Sequence, residues 1–115
     1  MVKVEYIHAD TGFLLRVQGH AGAAPKGADL VCSAVSILIY TAAQCALELY
    51  TDEKLQQWPL LELESGSSQV AADARQGKTE TVQRVFDTVM TGFYLLANQY
   101  PQFVTVTESS PEGLI

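Results

Sequence analysis

The chain has 115 residues, of which 48% are hydrophobic and 17% charged, which fits one globular domain and excludes a disordered chain. Its net charge of −6 at pH 7 argues against a protein held to nucleic acid by phosphate contacts, because such binding needs a basic surface. Two cysteines are too few for a disulfide scaffold, and free thiols suit a reducing cytoplasm. The N-terminal MVKVEY has no signal-peptide pattern. We therefore expect a cytoplasmic protein without direct nucleic-acid contacts.

The chain begins with the pattern of a β-hairpin. Apolar and polar residues alternate over residues 2–8 and again over 13–18, which predicts two half-buried strands. Residues 9–12, Ala-Asp-Thr-Gly, supply the turn between them.

A loop rich in glycine and small residues separates this hairpin from a long helix. Residues 19–28, GHAGAAPKGA, have few side chains that could anchor them, so this loop is expected to be mobile. Asp29 is a favoured N-cap residue, and an apolar helix is predicted from there to about Tyr50. The glycines expected to let the loop move are Gly19, Gly22 and Gly27.

The second half repeats the order of two strands and a helix, and one more strand follows. Residues 61–64 and 69–74 predict a second hairpin with a turn at Ser65-Gly66. A second helix is expected to begin at 77–79 and to end before Pro101. Its apolar residues form one stripe at helical spacing: Val82, Val85, Phe86, Val89, Phe93 and Leu96.

The predicted order is ββαββαβ, an α+β fold with helices packed on a mainly antiparallel sheet. Residues 103–107 are β-branched and aromatic enough for the last strand. We expect a single domain over residues 1–107 and a loose C-terminal tail over 108–115.

The first helix raises the question of a membrane. Residues 30–47 contain no charged side chain and reach the lower limit of a spanning segment. Polar residues inside the run and the lack of basic or aromatic anchors at its ends favour a buried helix, so no membrane contact is expected. Its apolar surface exceeds what one small sheet can cover, which predicts a homodimer.

Cys32 is the first candidate for chemistry. With Asp29 as N-cap, Cys32 is the third helical residue, where free backbone N–H groups and the helix dipole would stabilise a thiolate. By position alone a small apolar core residue is the favoured interpretation, as most free cysteines in helices are.

His20 is the second candidate, in the loop that leads into the helix of Cys32. It precedes Cys32 by 12 residues, and the loop could fold the imidazole back over the helix start, within reach of proton transfer. A solvated loop histidine is the alternative, because a Cys/His pair at this spacing is a weak signal.

The combined pattern is more specific. GHAG, then Gly27, Asp29 and VCSAVS, with this His-to-Cys spacing and the ββαββαβ order, resembles the ribosomal-processing cysteine protease family called Prp. The resemblance implies a cysteine endopeptidase that removes the N-terminal extension of a large-subunit ribosomal protein during ribosome assembly. It implies Cys32 as nucleophile and His20 as general acid and base, and it marks Asp29 and Ser36 as motif positions.

Supporting roles stay open from the residues alone. Asp29 is either a helix cap or an orienter of His20. Ser36 lies one turn after Cys32 and faces the same side, where it either supports the site or hydrogen-bonds to the helix backbone. Backbone N–H groups near 31–33 are candidate oxyanion donors.

The remaining residues offer less. Cys45, in the apolar middle of the helix, is expected in the core, about 20 Å from Cys32 and beyond disulfide reach. His8 is expected to have a strand-end role, and no metal or cofactor motif is present. A non-catalytic ribosome-assembly or peptide-binding module is the main alternative, and a single-thiol redox enzyme is a third.

Overall fold

The computed structural model describes residues 1–22 and 28–110. In this part of the chain the order is ββαββαβ, as predicted, and the fold class is α+β. The elements are β1 Val2–Ala9, β2 Gly12–Gly19, α1 Ala28–Thr51, β3 Leu60–Glu64, β4 Ser67–Asp73, α2 Thr79–Gln99 and β5 Val104–Ser109.

The strands form one sheet in the order β3-β4-β2-β1-β5. Neighbouring strands are antiparallel except β1 and β5, which are parallel, so the sheet is mainly antiparallel as predicted. The register pairs Val2 with Gly19 and His8 with Phe13. These pairs mark the two ends of the sheet. We call the end with the β1–β2 turn, near His8, the hairpin end, and the end where β2 leads toward α1 the loop end.

The helices cover one face of this sheet because alternate strand residues point toward them. Tyr6 and Leu15 are fully buried from the sheet side, and Phe86 and Phe93 are buried from α2. The rings of Phe13 and Phe86 stack with centroids 5.5 Å apart. The apolar stripe predicted for α2 is buried except for Val85, which is half-buried, and Met90 joins it.

The sheet extends further toward the C-terminus than the sequence pattern indicated. Glu108 and Ser109 belong to β5 and pair with Tyr6 and Ile7 of β1, so they are not part of a loose tail. The Glu108 carboxylate also accepts a hydrogen bond from the Tyr94 hydroxyl at 2.7 Å. The rest of the expected tail, residues 111–115, lies outside the described part of the chain.

α1 is a helix that by length and composition could cross a membrane. Within Asp29–Thr51 a window of 18 residues has a mean hydropathy of 1.9, and a third of that window is buried inside the protein. Val31 and Ile39 of the helix enter the core. A core helix of a globular protein meets the same length and composition criteria, so the absence of a membrane contact stays a prediction.

Candidate active site

His20 and Cys32 line the same cavity at the loop end of the sheet. The cavity has a volume of about 200 Å³ and lies between α1 and the turn that joins β3 to β4. Ser36 lines it too, so three of the residues selected from the sequence meet in one place. The other lining residues are Val2, Val17, Gly19, Val35, Ile39, Tyr40, Glu64, Ser65, Gly66, Ser67 and Ser68.

The end of β2 positions His20. Gly19 is the last residue of that strand and has φ +98°, a left-handed conformation that turns the chain out of the sheet. Its N–H donates to the carbonyl oxygen of Gly66 at 2.9 Å, while the Met1 nitrogen donates to the carbonyl oxygen of His20. Gly19 therefore has a fixed place in the sheet, whereas it had been predicted in the mobile loop.

The start of α1 differs from the prediction. The helix includes Ala28, so Asp29 lies inside its first turn and is not the N-cap, and Cys32 is the fifth helical residue. The backbone N–H groups of Cys32 and Ser33 then donate within the helix to residues four positions earlier. Helix geometry therefore does not favour these two groups as oxyanion donors, and Cys32 does not occupy the third helical position predicted for it.

The supporting residues separate in space. Ser36 is exposed and lies on the cavity wall one turn after Cys32, as predicted from the spacing. Asp29 is exposed and is not among the described residues that line the cavity. Of the loop glycines, Gly22 has φ +101°, and Gly27 lies outside the described residues.

A second depression adjoins the first along α1. This groove has a volume of about 420 Å³ and is lined by Cys32, Ser33, Ser36, Ile37 and Tyr40. Cys32, Ser36 and Tyr40 line both depressions, so the thiol lies where the cavity and the groove meet. Tyr40 was missed in the sequence, although its spacing of eight residues from Cys32 places it on the same helix face.

The side chains of His20 and Cys32 have no hydrogen-bond partner within residues 1–22 and 28–110, whereas other titratable groups do. Cys32 is half-buried and packs against the core.

Cys45 is also half-buried, so its predicted core position is wrong. Burial, and secondarily the charge of Glu48, raises the pKa of the Cys45 thiol, which disfavours its thiolate.

The described residues offer no group of three or more His, Cys, Asp or Glu side chains that could hold a metal ion. A wider depression of about 710 Å³ lies at the hairpin end, beside Trp58 and Leu14. It has more room than the cavity at His20 but brings together no thiol and imidazole. Nucleophilic chemistry is therefore better supported at the loop end.

Comparisons with known proteins bear on the family and the fold of the whole chain. The model of the family described as cysteine protease Prp matches residues 1–105. The fold is similar to that of SMU.848 from Streptococcus mutans, with 24% identity and a TM-score of 0.67 over 96% of this chain and 95% of that one. Comparison with curated proteins gives no match.

Two further solved structures are of the essential ribosomal processing protease Prp from S. aureus. The complex with a substrate peptide is 14% identical, with a TM-score of 0.70, over 95% of this chain and all (100%) of that one. The complex with a covalently linked product peptide is also 14% identical, with a TM-score of 0.69 and the same coverage, 95% and 100%. At this identity the likeness establishes a shared fold.

Proposed function

Because the chain belongs to the cysteine protease Prp family, we propose that it is an endopeptidase that uses Cys32 and His20 as its catalytic pair. Its substrate is the N-terminal extension of a large-subunit ribosomal protein, removed during ribosome assembly. The observation that carries the proposal is the shared cavity of the thiol and the imidazole. The solved Prp protease from S. aureus with bound peptide supports a peptide substrate.

The reaction follows from the two groups. His20 takes the proton of the Cys32 thiol, the thiolate attacks the scissile carbonyl carbon, and the resulting tetrahedral intermediate collapses as the C–N bond breaks. His20 gives a proton to the departing amine and leaves a thioester on Cys32. Water then attacks the thioester while His20 accepts its proton, which releases the carboxylate product and restores the thiol. The oxyanion needs donors other than the N–H groups of Cys32 and Ser33, and the Ser36 hydroxyl is a candidate.

The two depressions suggest how a peptide would bind. A scissile bond at Cys32 would have substrate residues on one side in the cavity and on the other in the groove beside Ile37 and Tyr40. Ile37 is 64% exposed and Tyr40 53% exposed, so both present apolar area to a substrate. Burying such side chains against a peptide would stabilise the complex.

The charge of the protein favours a basic partner. The net charge is −6, and Glu64 is the carboxylate among the described residues that line the cavity. A basic peptide from a ribosomal protein would be attracted to this surface, whereas rRNA would be repelled. This supports a protein substrate without direct nucleic-acid contact.

The test is intact-mass spectrometry of the extended ribosomal-protein precursor mixed with wild-type, His20→Ala and Cys32→Ser protein. We expect one new cleavage product with the wild type and none with either variant. An unchanged precursor that co-elutes with all three proteins would refute the protease and support the alternative, a non-catalytic peptide-binding module.

We further propose that the protein acts in the cytoplasm as a homodimer. Both cysteines are free thiols, which a reducing compartment maintains. Both helices expose large apolar side chains, among them Leu30 of α1 and Leu95 of α2, each 60% exposed, and a second copy would cover such area. Sedimentation that detects only monomer at micromolar concentration would contradict the dimer.

A further inference from the structure

The turn between β3 and β4 meets the imidazole of His20. Ser65 and Gly66 form this two-residue turn, and Gly66 has φ +79°. The Gly66 carbonyl oxygen accepts the hydrogen bond from the N–H of Gly19, the residue just before His20. The turn is thus attached to the segment that carries His20, although Gly66 follows His20 by 46 positions in the sequence.

The imidazole occupies the space that a side chain at position 66 would need. A Cβ atom built on Gly66 would lie 2.4 Å from His20 Nε2, 2.9 Å from Cε1 and 3.3 Å from Cδ2. The Nε2 edge of the ring therefore packs directly against the glycine backbone. Any other residue at this position would force the imidazole to move, because non-bonded carbon and nitrogen atoms do not approach so closely.

Backbone conformation alone does not explain the glycine. A residue with a left-handed φ can be asparagine or aspartate as well as glycine. Gly77 has nearly the same φ, +81°, and a Cβ there would meet nothing within 4 Å. The chain thus offers two glycines with nearly the same φ, and of these two Gly66 contacts the imidazole whereas Gly77 does not.

We propose that Gly66 is a positioning residue for His20, because the lack of a side chain at Gly66 leaves the space that the imidazole occupies in the cavity shared with Cys32. The catalytic consequence rests on the proposed function. With a side chain at position 66, the ring moves within the cavity that it shares with the thiol, and displacement of a catalytic group by about 1 Å can cost on the order of 100-fold in rate. Gly66 lines the cavity and does not line the groove, so the substrate contacts beside Ile37 are kept and the loss falls on kcat more than on KM.

The experiment compares Gly66→Ala with Gly77→Ala, which carries the same backbone strain without the contact. Two quantities are measured: the NMR signals of the His20 ring, assigned with His20→Ala, and kcat and KM for precursor cleavage. We expect Gly66→Ala to shift the ring signals and to lower kcat at least about tenfold, with a smaller change in KM. Gly77→Ala should leave the ring signals and kcat as in the wild type.

A second pair of variants guards against misfolding. Gly66→Asn and Gly77→Asn tolerate the left-handed backbone better, and Gly66→Asn still adds the Cβ atom. If the ring signals and kcat of both Gly66 variants match those of their Gly77 controls, the positioning role is wrong even where the wild type cleaves the precursor. If the ring signals move in the Gly66 variants while the wild type cleaves nothing, Gly66 positions the His20 ring and the proposed protease function is wrong.

Discussion

At the hairpin end of the sheet, the polar side chains bind one another, whereas at the loop end the imidazole and the thiol face a cavity. His8 contacts Glu108 at 3.3 Å, and Tyr94 donates to the same carboxylate. His20, at the other end, has no side-chain hydrogen bond within residues 1–22 and 28–110. The register places these histidines at opposite ends of the β1–β2 pair, about 20 Å apart along the strands.

This difference between the two ends of the sheet distinguishes a histidine that stabilises the fold from a histidine that can take part in a reaction. A carboxylate beside His8 stabilises the local fold, and a reacting partner there would have to displace it. The imidazole of His20 and the thiol of Cys32, which have no such partners among the described residues, are available to a substrate. The cysteines differ in the same way, since Cys32 lines the cavity and Cys45 has a raised pKa that disfavours its nucleophilic form.

The largest expected effect is on the cysteines. Cys32→Ser should lower kcat/KM for precursor cleavage by at least about 1000-fold, because a serine hydroxyl is a far weaker nucleophile without a strong base. Cys45→Ser, the matched control, should cleave within about twofold of the wild type, since it lies outside the described cavity lining. Cleavage rates of purified variants test both, and equal loss in the two would contradict the distinction between the thiols.

The histidines give the next largest effect. His20→Ala should lower kcat by about 100- to 10 000-fold, the range for loss of a general acid and base. His8→Ala removes the contact with Glu108 and the ring contacts with Tyr6 and Phe13, so kcat should not change, and the free energy of unfolding should fall by about 1 to 2 kcal/mol. Kinetics and urea unfolding distinguish them, and full activity of His20→Ala would overturn the assignment of the catalytic pair.

Asp73 tests the claim that the hairpin end serves stability. Its carboxylate accepts hydrogen bonds from the Thr11 hydroxyl and, at 3.3 Å, from the Gln56 side chain. Asp73→Ala leaves these donors without this acceptor and should lower the free energy of unfolding by about 2 kcal/mol. Cleavage at 25 °C should stay unchanged. Exposed Asp52→Ala is the control, with an expected loss below about 0.5 kcal/mol.

Urea unfolding measures both variants. A loss of cleavage in folded Asp73→Ala would show that the two ends of the sheet are coupled, contrary to the distinction drawn here. Equal stability of Asp73→Ala and Asp52→Ala would show that the hydrogen bonds at Asp73 contribute little.

The element order was predictable because each strand and helix has a clear period. Val2, Val4 and Tyr6 alternate with polar residues, and all three are buried. The end of β5 was not predictable, because Glu108 is a poor strand residue that the sheet retains through its contacts with His8 and Tyr94.

The candidate site was predictable in part. The residues of GHAG and VCSAVS could be selected, since they are close in sequence and carry reactive groups. The β3–β4 turn could not, because Gly66 comes to His20 only through the pairing of distant strands. The start of α1 was misplaced since Asp29 is favourable both as an N-cap and inside a first helical turn.

The smallest expected effect lies at the hairpin end, in the contact of Tyr94 with Glu108. The hydrogen bond to Glu108, followed by burial and the carboxylate charge, raises the pKa of Tyr94 to about 12. Because the pKa in the unfolded chain is near 10, this contribution to stability is present below pH 10 and is lost as the pH rises toward 12. Tyr94 is 40% exposed, so solvent screening limits this contribution to stability to less than about 1 kcal/mol.

Tyrosinate absorbance, as the difference between wild type and Tyr94→Phe, should have its midpoint near pH 12. Glu108→Gln should lower that midpoint, and an unchanged midpoint would show that Glu108 does not hold the tyrosine.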